Sequence, residues 1–163
     1  MLRVDQAGEA GACRIYAGQL AVMGDRSPAA TSIAGMAAQE ADHRRRFDAM
    51  LAARAVRPTL LSPLWDVAGF ALGAATALIG PRAAMACTVA IETEIDRHYG
   101  RQLAALGDSD PELVTAITEF RADEAEHRKI ALAEGAEQAP GYPLLSRAIR
   151  IGCRAAIALS RRL

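Results

Sequence analysis

Two Glu-x-x-His segments, Glu40 to His43 and Glu124 to His127, each follow another glutamate at nearly equal distance, 31 residues after Glu9 and 32 after Glu92. Residues three apart lie on one side of a helix, so each pair can turn a carboxylate and an imidazole towards the same ion. With one further glutamate from each partner helix, Glu9, Glu40, His43, Glu92, Glu124 and His127 make six candidate ligands for two metal ions. With 10 Glu and 3 His in 163 residues, chance predicts about 0.2 copies of the pair. The competing reading is an ordinary bundle with surface glutamates and locally bonded histidines, and the doubled spacing weighs against it.

Such a site needs long helices, and the chain supplies them. An antiparallel helix pair brings together residues equidistant from its turn. Glu9 and Glu40 are centred in Gly24-Asp25-Arg26-Ser27-Pro28, and Glu92 and Glu124 on Asp108 in Gly107-Asp108-Ser109-Asp110-Pro111. The spacing predicts helices from Leu2 to about Met23, from Pro28 to about Arg54, from Pro81 to near Gly107, and from Pro111, capped by Asp110, to about Glu134. A further helix is expected over about 143–162. The candidate ligands fall in the apolar stripes themselves, as in Ile33, Met36, Glu40, His43, Phe47, Met50 and in Leu113, Ile117, Phe120, Glu124, His127, Ala131. Four glutamates placed where hydrocarbon is expected carry about −4 of charge, which two divalent ions would cancel. The expected fold class is all-α: one domain over 1–163, a ferritin-like four-helix bundle of two antiparallel hairpins (about 2–54 and 82–137) related by a shift of 83 or 84 residues, with a hydrophobic crossover (about 59–80) and an extra C-terminal amphipathic helix.

Composition agrees, with 52% hydrophobic residues, 4% aromatic and 23% charged, a globular texture that favours helices over sheets. Formal net charge is zero, so no nucleic-acid partner is expected. The 3 cysteines, Cys13, Cys87 and Cys153, are odd in number and widely spaced, which suits free thiols in a reducing compartment rather than a zinc or iron-sulfur site. The motif region begins at Leu2 and leaves no room for a signal or transit peptide in this stretch.

Carboxylate and imidazole donors without thiolate suit iron or manganese, and iron is the reading here because redox chemistry uses such a site. Tyr16 and Tyr99 each follow a lone glutamate by 7 residues. Core packing is the expected role of Tyr16, while His98 and Tyr99 are candidates for supporting the ligands or shaping a substrate pocket. Asp5 and Asp96, one turn from Glu9 and Glu92, are candidates to orient ligand imidazoles. The apolar run Val67 to Ile79 reads either as a buried crossover or as a surface that meets a membrane or lipid partner, being too short to span a bilayer comfortably. Arg147, Arg150, Arg154 and Arg161 would give the last helix a basic face, either solvated or laid on anionic lipid.

Leu2-Arg3-Val4-Asp5-Gln6-Ala7-Gly8-Glu9, Arg14-Ile15-Tyr16-Ala17-Gly18-Gln19, Arg57-Pro58-Thr59, Pro63-Leu64-Trp65 and Ala84-Met85-Ala86-Cys87-Thr88-Val89-Ala90 resemble the demethoxyubiquinone hydroxylase family over nearly the whole chain. The resemblance implies a di-iron monooxygenase of ubiquinone biosynthesis, with Glu9, Glu40, His43, Glu92, Glu124 and His127 holding two iron ions. It implies O2 as co-substrate and insertion of one oxygen atom into the quinone ring. Two electrons would come from NADH or the quinol itself, since no Gly-rich dinucleotide fingerprint is present. The implied partners are a polyprenylated quinone, a membrane surface and a lipid-binding accessory protein, with a homo-oligomer open. The implied location is peripheral, on the cytoplasmic face of the bacterial inner membrane or, alternatively, the matrix face of the mitochondrial one. Gln6 and Ala10 depart from the commoner family pattern of histidine and tyrosine, which bears on substrate positioning. Other dimetal bundles store or oxidise iron, or modify tRNA, and these are the alternative readings.

Overall fold

Proline near the start of a helix costs no hydrogen bond, because the first N–H groups have no partner within the helix. Helices α2 (Pro28–Ala53), α3 (Ser62–Ile79), α4 (Pro81–Leu106), α5 (Pro111–Ala133) and α6 (Tyr142–Ser160) all begin this way, after α1 (Leu2–Met23). Ser27 Oγ caps α2 by accepting from the Ala30 N–H at 3.1 Å, and Asp110 Oδ1 caps α5 by accepting from Leu113 at 3.2 Å. The computed structural model describes residues 1–24 and 27–162; Asp25 and Arg26 of the first expected turn lie outside them. Among the described residues every regular element is helical, with a 3-10 turn at Ala136–Gln138.

Helices α1, α2, α4 and α5 form the bundle. Helix α3 packs along α1, and α6 packs along α4, so each hairpin carries one flanking helix. The α1–α3 contact is close enough to need glycine. A Cβ on Gly73 would lie 1.9 Å from the Ile15 carbonyl oxygen, and one on Gly18 would lie 2.2 Å from that of Phe70. The apolar run therefore has two roles: Gly69, Gly73, Thr76 and Ala77 of α3 are buried, while Leu64, Val67, Leu78 and Ile79 are exposed. Helix α3 is long and apolar enough to cross a membrane, yet it lies lengthwise on α1. Helix α6 adds exposed Leu144, Ile151 and Leu159.

Two apolar clusters fill the bundle. One gathers Tyr16, Ile33, Met36, Met85 and Ala131; the other gathers Phe47, Tyr99, Leu113, Ile117 and Phe120. Between these layers, six charged or titratable side chains are shut away from water.

Candidate metal centre

Glu9 on α1, Glu40 and His43 on α2, Glu92 on α4, and Glu124 and His127 on α5 all point inward, none more than 3% exposed. They fall into two overlapping sets, Glu9, Glu40, His43, Glu124 and Glu40, Glu92, Glu124, His127, whose donor atoms lie within 4.8 Å of one another. The sets share Glu40 and Glu124. His43 Nδ1 lies 3.6 Å from Glu9 Oε2 and 3.4 Å from Glu124 Oε1; His127 Nδ1 lies 3.0 Å from Glu124 Oε2 and 3.2 Å from Glu40 Oε1. Six buried donor atoms of this cluster have no hydrogen-bond partner in the protein: Glu9 Oε2, both Glu40 oxygens, His43 Nδ1, Glu92 Oε2 and Glu124 Oε1. Buried oxygens are rarely left unsatisfied, and here the orphans converge. Carboxylates and imidazoles so placed fit two divalent ions of the iron or manganese type.

The electrostatics point the same way. Burial, then repulsion from Glu124 and Glu9, pushes the Glu40 carboxyl well above its usual range, and burial with Glu124 does the same to Glu92. Burial opposes ionisation of Glu124 too, but the hydrogen bond from His127, with His43 and Glu92 close by, outweighs it and holds Glu124 down at about 2. For His43, burial favours the neutral ring, but the close carboxylates of Glu124 and Glu9 prevail and raise it to about 10. Bound cations would take the place of these protons.

Each lone glutamate receives a phenol from the opposite hairpin. Tyr16 donates to Glu92 Oε1 at 2.9 Å, and Tyr99 donates to Glu9 Oε1. Tyr16 is thus a hydrogen-bond partner of the cluster as well as a core residue, which its position in an apolar stripe concealed. Each histidine is held from behind: His43 Nε2 meets Asp123 Oδ2 at 3.0 Å, and His127 Nε2 meets Gln39 Oε1 at 2.9 Å. Phe120 stacks on the His43 ring at 3.9 Å. The expectation for Asp5 and Asp96 is corrected. Asp5 accepts from His98 and Gln102, and Asp96 from Arg121, because side chains one turn from a lone glutamate face the neighbouring helix rather than a ligand histidine. Gln39 and Asp123 escaped notice although the repeat marks both, each preceding the glutamate of a pair and standing 84 residues from the other.

An apolar cavity of about 300 Å³ adjoins one end of the cluster, lined by residues of α1, α3, α4 and α6 that include Ile15, Trp65, Leu72, Ile91, Cys153 and Ile157. Asp5, Glu9, Glu94, His98 and Tyr99 are the titratable polar side chains of its lining besides Cys153. His98 Nε2 lies 2.8 Å from Asp5 Oδ1, and Arg161 approaches Nδ1 at 3.3 Å. Helix α6, the fourth wall, is fastened by the Trp65 indole N–H donating to Ser160 Oγ at 2.9 Å and by Glu94. This buried carboxylate accepts from Arg150 at 2.7 Å and Arg97 at 3.1 Å, with Arg154 at 3.8 Å. Arg150 and Arg154, two of the four arginines expected on a solvated or lipid-facing surface, therefore turn partly inward, towards a glutamate that no spacing marked. Gln6, one of the two departures from the family pattern, donates to Asp48 at 2.8 Å and is not part of the cavity lining. All three cysteines are free thiols; burial raises Cys13 and Cys153 to about 11 and Cys87 further, so none is an activated nucleophile.

A helical bundle with paired carboxylate–imidazole sets across its centre, placed where they could hold metal, is a ferritin-like protein. The model of the family described as ubiquinone biosynthesis protein COQ7 matches residues 1–160, and the chain belongs to that family. It is 57% identical over 161 residues to a 3-demethoxyubiquinol 3-hydroxylase of Rhodospirillum rubrum, covering 99% of this chain and 76% of the relative. It is 51% identical over 167 residues to the human NADPH-dependent 3-demethoxyubiquinone 3-hydroxylase, mitochondrial, covering 100% and 76%. A 5-demethoxyubiquinone hydroxylase, mitochondrial, of Saccharomyces cerevisiae is 42% identical over 173 residues, covering 96% and 74%.

Proposed function

We propose that this chain is the ring hydroxylase of ubiquinone biosynthesis. It converts demethoxyubiquinol to the demethylubiquinone-type product at two iron ions held by Glu9, Glu40, His43, Glu92, Glu124 and His127. One observation carries the reading: an apolar cavity has Glu9, a member of the buried six-residue cluster, and Tyr99 in its lining. The balance is one ring C–H, O2, two electrons and two protons in, and one ring C–OH and one water out. When bound, the irons supply the activation of oxygen and the transfer of one atom.

The protein's own part is to bind, orient and exclude water. A cavity of about 300 Å³ lies at the small end of the range for ligand sites, which suits a substituted ring with its isoprenoid tail leaving along α3 and α6. Tyr99 donates to Glu9 and fixes its orientation at the cavity. His98, held at Nε2 by Asp5 and approached at Nδ1 by Arg161, is fixed in orientation and shapes the space that the quinone ring enters. The exposed leucines, valine and isoleucines of α3 and α6 seat the chain on a membrane. That membrane is the cytoplasmic face of a bacterial inner membrane or, alternatively, the matrix face of the mitochondrial one. Electrons come from a nicotinamide donor or the quinol itself, and a lipid-binding accessory protein or a second copy can share the apolar face. Iron storage would need a polar route for ions, whereas the opening beside the cluster is apolar.

The test is turnover of iron-loaded protein with demethoxyubiquinol in vesicles under labelled O2. The expected product carries one labelled oxygen on the ring. Reductant consumption with unaltered quinone overturns the reading.

A further inference from the structure

The cluster is nearly two-fold symmetric. Glu9 matches Glu92, Glu40 matches Glu124, His43 matches His127, and Tyr99 on Glu9 matches Tyr16 on Glu92. The symmetry breaks behind the histidines. At equivalent positions, 84 residues apart, a carboxylate (Asp123) holds His43 and a neutral amide (Gln39) holds His127. The two partners are nearly the same distance away, 3.0 and 2.9 Å, so the difference is charge rather than reach.

A ring N–H donated to a carboxylate leaves the other nitrogen richer in electrons and more firmly oriented than one donated to an amide. Both Nδ1 atoms face the shared glutamates. We propose that Asp123 and Gln39 are positioning residues that make the two metal positions unequal. The position of Glu9 and His43, which adjoins the apolar cavity, fills first and binds more tightly than that of Glu92 and His127. The proposal rests on the reading that the six residues hold two divalent ions. Its consequence is one anchored ion beside the substrate and one exchangeable ion on the far side. Outer partners of ligand histidines shift metal affinity by about 10- to 100-fold. Asp123 is 43% exposed at its side chain, which places the expected ratio near the lower end, about tenfold.

Manganese(II) is the probe, because it favours carboxylate and imidazole over the free thiols. Calorimetric titration of metal-free protein should show two unequal steps. Anomalous diffraction from crystals loaded with one equivalent should place manganese beside Glu9 and His43. Asp123→Asn should bring the two steps together. The isosteric exchange Asp123→Asn with Gln39→Glu, which leaves net charge unchanged, should reverse the order, with manganese then beside Glu92 and His127. Neither outcome follows from a merely structural role. Equal affinities in the native chain, or a filling order that the exchange does not reverse in a folded double variant, overturns the inference alone. No stoichiometric manganese overturns it together with the metal-site reading.

Discussion

Replacing Gly73 with alanine should loosen the wall of the cavity while sparing the metal cluster. The added Cβ would lie 1.9 Å from the Ile15 carbonyl oxygen, whereas a carbon and a carbonyl oxygen approach no closer than about 3.3 Å. The obstacle is backbone, so α3 must retreat from α1 by about 1.4 Å, the difference between 3.3 Å and 1.9 Å. Overpacking of this kind costs about 1–3 kcal/mol, and a backbone clash belongs at the upper end. Better helix propensity offsets about 1 kcal/mol, leaving a net loss of about 2 kcal/mol and a melting temperature lower by roughly 4–8 °C for a chain of this size. Gly35→Ala in α2 is the matched control. Nothing lies within 4 Å of its Cβ, so the same change there should stabilise by about 0.5–1 kcal/mol. Thermal melts give both signs, and amide exchange should localise the Gly73→Ala loss to α3 with metal stoichiometry intact. A Gly73→Ala protein that melts at or above the native temperature would refute the α1–α3 packing described here.

Three further perturbations separate other parts of the structure. Glu94→Gln removes the charge that Arg150, Arg97 and Arg154 share; it should cost about 1.5–3 kcal/mol, raise amide exchange in α6 and raise KM more than it lowers kcat. Unchanged α6 exchange would show that Glu94 does not fasten that helix. Metal-free protein should lose stability as pH rises between about pH 6.5 and about pH 10. The raised Glu40 and Glu92 contribute stability that is full below their ordinary value of 4.5, and the raised His43 below 6.5; both contributions fade as pH climbs, the latter through about 10. Glu124, held at about 2, loses its contribution only in acid. Calorimetric melts check this, and a metal-free melting temperature that climbs over the window contradicts it. Ala55 closes α2 at φ 52°, with its N–H on the Ala52 carbonyl and that of Val56 on Leu51. Ala55→Gly should therefore stabilise by about 1 kcal/mol in denaturant melts, and a loss would show that the left-handed turn is not adopted.

The fold class was legible because helix punctuation and apolar periodicity agreed. Ser27-Pro28 and Asp110-Pro111 mark two helix starts, and Glu40, His43 and Glu124, His127 share the stripes of Ile33, Phe47, Ile117 and Phe120. The grouping of the six candidate ligands could be proposed because a doubled spacing encodes equal height on antiparallel helices. What escaped depends on the other axis of the bundle, namely which helix faces which. Glu94 looks like one more surface glutamate until α6 is laid across α4, and Asp5 meets His98 only because α1 and α4 lie side by side. The double nature of the apolar run turns on Gly69 and Gly73, whose missing side chains leave no periodic signal. The apolar stripe marks Tyr16 only as a core residue, while its hydroxyl reaches Glu92 across the bundle.

The most direct test of the central claim is iron content with single-turnover stoichiometry. Protein loaded anaerobically with iron, given demethoxyubiquinol and then one pulse of oxygen, should carry two irons per chain and yield one ring-hydroxylated quinone per pair. Glu40→Ala and Glu124→Ala, which remove the two shared carboxylates, should abolish both. Two irons that oxidise without altering the quinone would contradict the assignment of substrate, and a folded chain that retains no stoichiometric iron would contradict the metal centre itself.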